Sequence, residues 1–333
     1  MLTLLWGLMD EEPMMAVAAA LQQTGAELAL VDQRDVLKSD IQLVVGERIS
    51  GRVCSPAGEF NLCDVESAYI RPYDCRSLAS VRGTRSRSAK ERSHAMDDIL
   101  LTWCDITPAL VLSRPSSAAT NNSKPYQADF IRNAGFRVPA TLLTTTPEAV
   151  TNFRHRCGRI IYKSISGVRS RVSEFSDNHS ERLPNVTFCP TQFQKMIEGR
   201  DYRVHVVGDQ VFACELISDA QDYRYPGDQG LEIKATSLPP EIEERCVFLA
   251  RSLELSLAGI DLRRTEDDEW YCFEANPSPA FTFYQDCTGQ PIAAAIASLL
   301  MNSTSMTSVA APAEIAKQWQ VDDDISPETP DYA

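Results

Sequence analysis

The chain has 333 residues, 44% of them hydrophobic, which suffices for one composite enzyme or two to three small domains with a sizeable core. The formal net charge of -14 argues against a nucleic-acid partner, because neutralising phosphates requires clustered Lys and Arg. The sequence contains no run of about 18 apolar residues, so it predicts no membrane span. The N-terminus lacks the basic start of a signal peptide, so we expect a cytoplasmic protein without a membrane partner.

The ten cysteines are scattered singly with no Cys-x-x-Cys pair, and the four histidines never approach the spacing of metal ligands. Free thiols are therefore favoured over a zinc site or a disulfide framework. P-loop, serine-hydrolase and zincin motifs do not occur in the sequence.

The beginning of the chain predicts a small α/β unit. An apolar run at residues 1–8 precedes a helical stretch that begins at Pro13, and Gly25 is well placed to end that helix before a second strand. Residues 41–74 then alternate apolar and polar side chains around a glycine turn, which is typical of a hairpin. We expect an N-terminal α/β domain over residues 1–113.

Two charged segments stand out. Residues 76–94 are polar and basic, which predicts a surface loop, with a mobile flap over an anionic ligand as the alternative. An amphipathic helix is expected over residues 94–110. The C-terminal residues 303–333 combine acidic side chains with prolines, which predicts a solvated, disordered tail.

The middle of the chain predicts a second, α+β unit. A helix is expected around residues 126–133, followed by a turn at Gly135 and a strand. Residues 159–175 predict two strands joined by a Ser/Gly loop, and residues 191–217 predict two more strands.

Residues 258–276 predict a hairpin around a polar turn. A register that places Thr265 opposite Trp270 sets Asp261 directly across from Glu274, with Cβ atoms about 5 Å apart. Two like charges so close repel each other. Either one carboxyl keeps its proton, or a cation neutralises both.

Asn276 shares a strand face with Glu274, because side chains two residues apart point the same way. Asp, Glu and Asn oxygens without nearby His or Cys suit Mg²⁺, a hard cation that takes phosphate oxygens as further ligands. The alternative is a partly solvated carboxylate pair, with Asn276 capping the turn into the following Pro-Ser-Pro. Arg263 shares a face with Asp261, so it is a candidate for gripping a substrate carboxylate, against the alternative of a surface salt bridge.

The stretches AGIDL at 258–262, WYCFEANPSPAF at 270–281 and TGQPIAAAIASLL at 288–300 together resemble the ATP-grasp superfamily. The resemblance is nearest to its ribosomal-protein glutamate ligase-like branch and to the ligases that macrocyclise ribosomal peptides. It implies an α/β and α+β chain with an N-terminal α/β pre-domain and an ATP-grasp domain over residues 114–302. Two lobes, the smaller at roughly residues 140–198, are then expected to enclose the nucleotide.

Carried over by position, the resemblance implies a metal set and a group of phosphate contacts. These are the metal ligands Asp261, Glu274 and Asn276, the phosphate-directed Lys124 and Lys163, the flap residues Ser164, Ser166 and Gly167, and Arg203 on the transferring phosphoryl group. It also implies adenine contacts from Gln194 and the backbone of Lys195 and Ile197, and a ribose contact from Asp201. Each has a simpler alternative: a surface lysine for Lys124, a turn cap for Asp201, an ion pair on the sheet surface for Arg203.

The resemblance implies that a carboxylate attacks the γ-phosphate of ATP to give an acyl phosphate and ADP. An amine, or less often a hydroxyl, then displaces phosphate to form an amide or ester. ATP and Mg²⁺, or Mn²⁺, are the expected cofactors, and small molecules, peptides or protein side chains the substrates, in a homodimer or homotetramer. A non-catalytic ATP-binding protein is one alternative. A ribosomal-peptide maturase that forms macrocyclic links is another, with the basic residues 82–92 holding an acidic peptide.

Overall fold

The computed structural model describes residues 1–164, 172–217 and 230–302. The strands are β1 Leu2–Gly7, β2 Glu27–Asp32, β3 Asp40–Val45, β4 Ile49–Ser55, β5 Gly58–Asn61, β6 Val65–Arg71, β7 Leu110–Leu112, β8 Thr141–Thr144, β9 Ile160–Ser164, β10 Ser173–Glu174, β11 Thr191–Lys195, β12 Arg200–Val207, β13 Gln210–Ile217, β14 Glu232–Thr236, β15 Leu257–Arg264 and β16 Trp270–Asn276. The helices are α1 Glu12–Gln23, α2 Ala79–Arg82, α3 Arg87–Ile106, α4 Pro115–Ala118, α5 Lys124–Asn133, α6 Pro147–Cys157, α7 Pro240–Ser252, α8 Thr282–Thr288 and α9 Ile292–Met301. In the part of the chain described, no helix is both long and apolar enough to cross a bilayer.

The N-terminal sheet is parallel, in the order β2-β1-β6-β7. Helix α1 joins β1 to β2, and Gly25 follows it with a φ of +74°, a conformation that glycine adopts without strain. The predicted strand, helix, turn, strand order is confirmed. Because the strands are parallel, the carboxyl ends of β1, β6 and β7 lie at the same edge of the sheet.

Residues 40–61 form a three-stranded antiparallel sheet, β3-β4-β5. The hairpin predicted over residues 41–74 is wrong beyond β5, because residues 65–71 form β6 of the parallel N-terminal sheet. The prediction of a surface loop over residues 76–94 is wrong for much of its length, because α3 already begins at Arg87. Ser86 caps this helix, its Oγ accepting a hydrogen bond from the Ala89 amide at 3.2 Å. The buried face of α3 continues toward Ser93, so the helical period extends back into the basic segment.

The next sheet is antiparallel and has the order β10-β9-β11-β8. Helix α6 covers one face of it, packing Val150 and Phe153 against Ile160 and Phe193. This sheet lies within the range expected for the small lobe.

The largest sheet is antiparallel and has the order β14-β13-β12-β15-β16. One face packs against α7 through a buried apolar cluster that includes Val204, Ile260, Cys246 and Leu249. The opposite face carries the odd-numbered residues of β12 and β15, because side chains alternate along a strand.

Residues 191–217 hold three strands instead of the predicted two, and these strands belong to different sheets. The turn between β11 and β12 carries the chain from the small sheet to the large one. Gly199 lies in this turn with a φ of +150°, and a Cβ there would overlap with the carbonyl oxygen of Arg264. The turn therefore separates two sheets.

The hairpin of β15 and β16 pairs Asp261 with Glu274, as predicted, but the predicted turn register is wrong. Trp270 lies opposite Arg264, one residue earlier than expected. A β-bulge beside Asp261 leaves Phe273 as the extra residue of β16, and this restores the alignment of the two carboxylates.

Candidate functional site

Three charged residues form a row across neighbouring strands of the large sheet. Arg203 on β12 lies opposite Asp261 on β15, which in turn lies opposite Glu274 on β16. Asn276 follows at the end of β16. The structure thus brings all three predicted metal ligands onto two adjacent strands, with the predicted phosphoryl-binding arginine beside them.

Each of the two facing carboxylates has its own cation. The Arg203 Nη1 atom lies 2.6 Å from the Asp261 Oδ1 atom. The Lys124 Nζ atom, at the start of α5, lies 2.8 Å from Glu274 Oε2 and donates to Asn121 Oδ1 at 2.6 Å. These pairs offset the repulsion between Asp261 and Glu274, so neither carboxyl has to keep its proton.

The pKa of Glu274 reports how positive this site is. Burial acts to raise the pKa of this carboxyl, but Lys124, Arg203 and Lys163 outweigh burial, so the pKa lies below its ordinary value. Lys163 on β9 therefore contributes its charge to the same site from the small sheet. Ser164 is the last residue of β9. The predictions for Ser166 and Gly167, and for the 303–333 tail, fall outside the described residues.

Arg203 is held in a tight environment and is only 6% exposed. Its guanidinium carbon lies 5.6 Å from the ring centre of Tyr284 on α8, a cation–π geometry. Gly259, which pairs with His205 on the neighbouring strand, leaves the space that the guanidinium occupies, because a Cβ there would overlap with Arg203 Nη2. His205, buried beside Arg203, has a pKa well below its ordinary value because of burial and the neighbouring arginine charge.

The oxygen donors fit a hard divalent cation. Asp261 and Glu274 supply carboxylate oxygens and Asn276 an amide oxygen, the donor set that Mg²⁺ accepts. The Asn276 Oδ1 atom also accepts a hydrogen bond from the Ser278 amide at 2.9 Å, which orients the side chain. Among the described residues no group of three or more His, Cys, Asp or Glu side chains could hold a metal ion, so an ion here requires the amide or substrate oxygens as well.

Arg263 and Asp201, predicted for different tasks, bind each other. Arg263 donates from Nε and Nη2 to the two Asp201 oxygens at 2.7 and 2.6 Å, and from Nη1 to the Ile197 carbonyl at 2.6 Å. Both side chains are less than a fifth exposed, so this pair is not an exposed surface salt bridge. Arg263, predicted to bind a substrate carboxylate, is therefore bound to Asp201, predicted to contact the ribose.

The segment expected to contact adenine lies at the end of β11. Gln194 is buried, and its Nε2 atom donates to Thr141 Oγ1 at 3.1 Å. The Lys195 amide donates to the Ala140 carbonyl at 2.8 Å. The Ile197 carbonyl accepts from Arg263 Nη1, so this segment is tied to β15.

Sequence reasoning missed several residues that shape the site. Gly259 had a usable signal, since a glycine inside a strand often marks the close approach of another group. Tyr284 and Gln127 had none that we can identify. Gln127 on α5 makes two hydrogen bonds with the Ala275 backbone, at 2.9 and 3.0 Å, and so fixes the residue between Glu274 and Asn276.

Solved structures show the fold. The macrocyclase MdnC from Microcystis aeruginosa MRC, bound with precursor peptide MdnA, matches with a TM-score of 0.78 at 22% identity, over 91% of this chain and 100% of MdnC. The ATP-grasp ligase PsnB, complexed with a phosphomimetic variant of its minimal precursor, Mg and ADP, matches with a TM-score of 0.74 at 24% identity, over 91% of this chain and 98% of PsnB. The chain therefore has the ATP-grasp fold, as the sequence resemblance implied.

Sequence comparison then defines the family. A "Probable alpha-L-glutamate ligase" of Alkalilimnicola ehrlichii (strain ATCC BAA-1101 / DSM 17681 / MLHE-1) is 30% identical over 212 residues, 60% of this chain and 70% of that ligase. The chain spans only 37% and 44% of the length of two other glutamate ligases that it matches. The RimK-like ATP-grasp domain matches residues 129–300, and the chain belongs to this family.

Proposed function

We propose that the protein is an ATP-dependent carboxylate–amine ligase that forms an amide, or an ester, through an acyl phosphate and releases ADP. The observation that carries this proposal is the row of Arg203, Asp261 and Glu274 with Lys124 at its end. A carboxylate pair flanked by cations on a sheet of ATP-grasp topology supports phosphoryl transfer, where catalysis depends on positioning and charge neutralisation.

The charged side chains of the site have two roles, metal binding and charge neutralisation. Asp261, Glu274 and Asn276 would hold Mg²⁺, or Mn²⁺, which when bound screens the negative charge of the ATP phosphates. Lys124, Lys163 and Arg203 neutralise charge that builds on the phosphoryl oxygens as the substrate carboxylate attacks. The displaced ADP leaves, and the incoming amine then expels phosphate from the acyl phosphate.

The nucleotide's other contacts follow from β11 and β12. The Lys195 carbonyl and Ile197 amide would read the adenine edge beside Gln194, and Asp201, held by Arg263, would accept hydrogen bonds from the ribose. The backbone of Ser164, Ser166 and Gly167 would cover the phosphates, because small residues let amide groups approach closely. We assign these roles to the ATP-grasp domain at residues 114–302, with residues 1–113 as the pre-domain.

A peptide substrate is the second candidate within this function. It is favoured because MdnC and PsnB, which were solved in complex with a precursor, match nine-tenths of this chain, whereas the glutamate ligases match shorter stretches. We propose a cytoplasmic enzyme that links a carboxylate to an amine or hydroxyl of a peptide, as a homodimer or homotetramer.

The test is mass spectrometry of the protein incubated with ATP, Mg²⁺, a pool of amino acids and candidate peptides. ADP release with an acceptor losing the mass of one water, or gaining an amino acid residue, is expected. Tight ATP binding without ADP under every acceptor would favour a non-catalytic nucleotide-binding protein instead.

A further inference from the structure

The loop that follows Asn276 is held by residues from outside its own sheet. The Ser113 hydroxyl donates to the Pro277 carbonyl at 2.6 Å. Arg71, the last residue of β6, donates from Nη1 to Ser278 Oγ at 2.9 Å and to the Pro279 carbonyl at 3.1 Å. Arg71 thus joins the N-terminal parallel sheet to a loop more than two hundred residues further along the chain.

The other side of the Arg71 guanidinium is also fully engaged. Nε and Nη2 donate to the two carboxylate oxygens of Glu11 at 2.9 and 2.6 Å. The Arg71 side chain is only 9% exposed, although Glu11 is partly open to solvent, and such paired charge-assisted bonds are strong and directional. A planar guanidinium can hold Glu11 and the loop at once, which a single ammonium group cannot do equally well.

This loop begins at the metal-ligand strand. Ser278, which receives the Arg71 hydrogen bond on its hydroxyl, uses its own amide to bind the Asn276 Oδ1 atom. A shift of Ser278 therefore moves the orientation of Asn276, two residues from Glu274. Partners of this kind, which orient a ligand without touching the ion, commonly change metal affinity by about 10- to 100-fold when removed.

We propose that Arg71 is a positioning residue that sets, from the N-terminal sheet, the geometry of the Asn276 ligand, which lies two residues from Glu274 on the same strand. The inference rests on the proposed function, because it requires those side chains to bind a metal–nucleotide complex. It assigns a role in the nucleotide site to a residue outside the 114–302 region that carries the expected ligands.

The test measures the affinity for ADP by calorimetry, with and without Mg²⁺, in wild type, Arg71→Ala and Arg71→Lys. We expect the gain in ADP affinity that Mg²⁺ provides to fall by about tenfold in Arg71→Ala, with Mg²⁺-free affinity unchanged. Arg71→Lys keeps a positive charge beside Glu11, and we expect it to fold while losing most of the same gain. If Arg71→Ala fails to fold, the same measurement is made on the two single variants Arg71→Lys and Ser278→Ala.

Arg92→Ala is the matched control. Arg92 also bonds a carboxylate and a backbone carbonyl of a distant segment, Asp40 Oδ1 at 2.6 Å and Ser39 O at 2.8 Å, but neither belongs to the loop. We expect this variant to leave the Mg²⁺-dependent gain at its wild-type value, whatever its effect on thermal stability.

The surroundings of Arg71 allow chemical rescue. A cavity of about 480 Å³ lies beside it, lined by Glu11, Tyr73, Ser278 and apolar side chains. Truncation to alanine opens the guanidinium position to this cavity. Methylguanidinium should then restore the Mg²⁺-dependent gain in Arg71→Ala, whereas methylammonium at equal ionic strength should not.

Two outcomes separate the inference from the proposed function. A wild-type protein that gains ADP affinity from Mg²⁺, with Arg71 variants that gain just as much or lose affinity equally without Mg²⁺, would overturn the positioning role alone. A wild-type protein whose ADP affinity does not respond to Mg²⁺ would overturn the proposed function, and the inference with it.

Discussion

Asp261 and Glu274 lie directly opposite each other on β15 and β16, and each carboxylate is paired with a different cation. Lys124 reaches Glu274 from helix α5, whereas Arg203 reaches Asp261 from strand β12. The site therefore offsets the charge of both carboxylates with cations from separate elements. An incoming cation that binds both carboxylates has to compete with these two ion pairs or rearrange them.

Replacing Glu274 with Gln should abolish most catalysis. The substitution keeps the side-chain shape but removes the charge that faces Lys124 and the metal position, and we expect substrate-stimulated ADP release to fall by about 100-fold or more. Glu269→Gln is the control, because Glu269 immediately precedes the same strand, β16, and pairs with Arg137 away from the site. Equal activity of the two variants would contradict the assignment of Glu274.

Replacing Gly259 with Ala should displace Arg203. The added Cβ would overlap with Arg203 Nη2 and lie 2.7 Å from the Pro279 Cβ atom, and both neighbours are buried. We expect a loss of about 1–3 kcal/mol in the free energy of unfolding, the usual range for overpacking. ADP release should fall as well. Gly46→Ala, where an added Cβ meets nothing within 4 Å, should change neither quantity.

The site was predictable where strand periodicity and family order pointed to the same residues. Alternation placed Glu274 and Asn276 on one face, and hairpin symmetry placed Asp261 opposite Glu274. The bulge at Phe273 shows the limit of this reasoning, because the correct pairing arose from a turn register that was off by one residue. Nothing in the local sequence around Phe273, which lies between Cys272 and Glu274, indicates an extra residue in this strand.

Contacts between distant segments were the part that could not be predicted. The pairing of Arg263 with Asp201 depends on which strands are neighbours, and β12 and β15 are separated by β13, β14 and α7 along the chain. The helical start at Arg87 was missed for a different reason. Basic, polar residues are typical of loops, but here they form the exposed face of a helix whose other face is buried.

Arg263 should affect ATP more than the carboxylate substrate. Since Arg263 orients Asp201, the proposed ribose contact, we expect Arg263→Gln to raise the apparent KM for ATP by about tenfold, as Asp201→Asn should. The double variant Arg263→Gln/Asp201→Asn should raise the apparent KM for ATP little more than either single variant, because both changes break the same interaction.

Arg264→Gln provides the control for this prediction. Arg264 is the next residue on β15, but it is exposed and pairs with Asp268 in the turn. Its KM for ATP should stay at the wild-type value. A larger rise in the KM for the carboxylate than for ATP in Arg263→Gln would instead assign Arg263 to substrate binding.

His205 should make the folded state less stable at mildly acidic pH. Burial and the Arg203 charge hold its pKa well below 6.5, so His205 binds a proton in the unfolded chain that it does not bind in the folded protein. The stabilising contribution is complete above pH 6.5 and is lost as the pH falls toward the lowered pKa of the folded state, with a slope of at most about 1.4 kcal/mol per pH unit. The free energy of unfolding should be measured by chemical denaturation between about pH 7.5 and about pH 5, a range that brackets the ordinary histidine pKa. It should show this slope in wild type and a smaller slope in His205→Gln. His155→Gln, at an exposed position of α6, is the control and should retain the wild-type slope. An unchanged slope in His205→Gln would mean that another group titrates in this range.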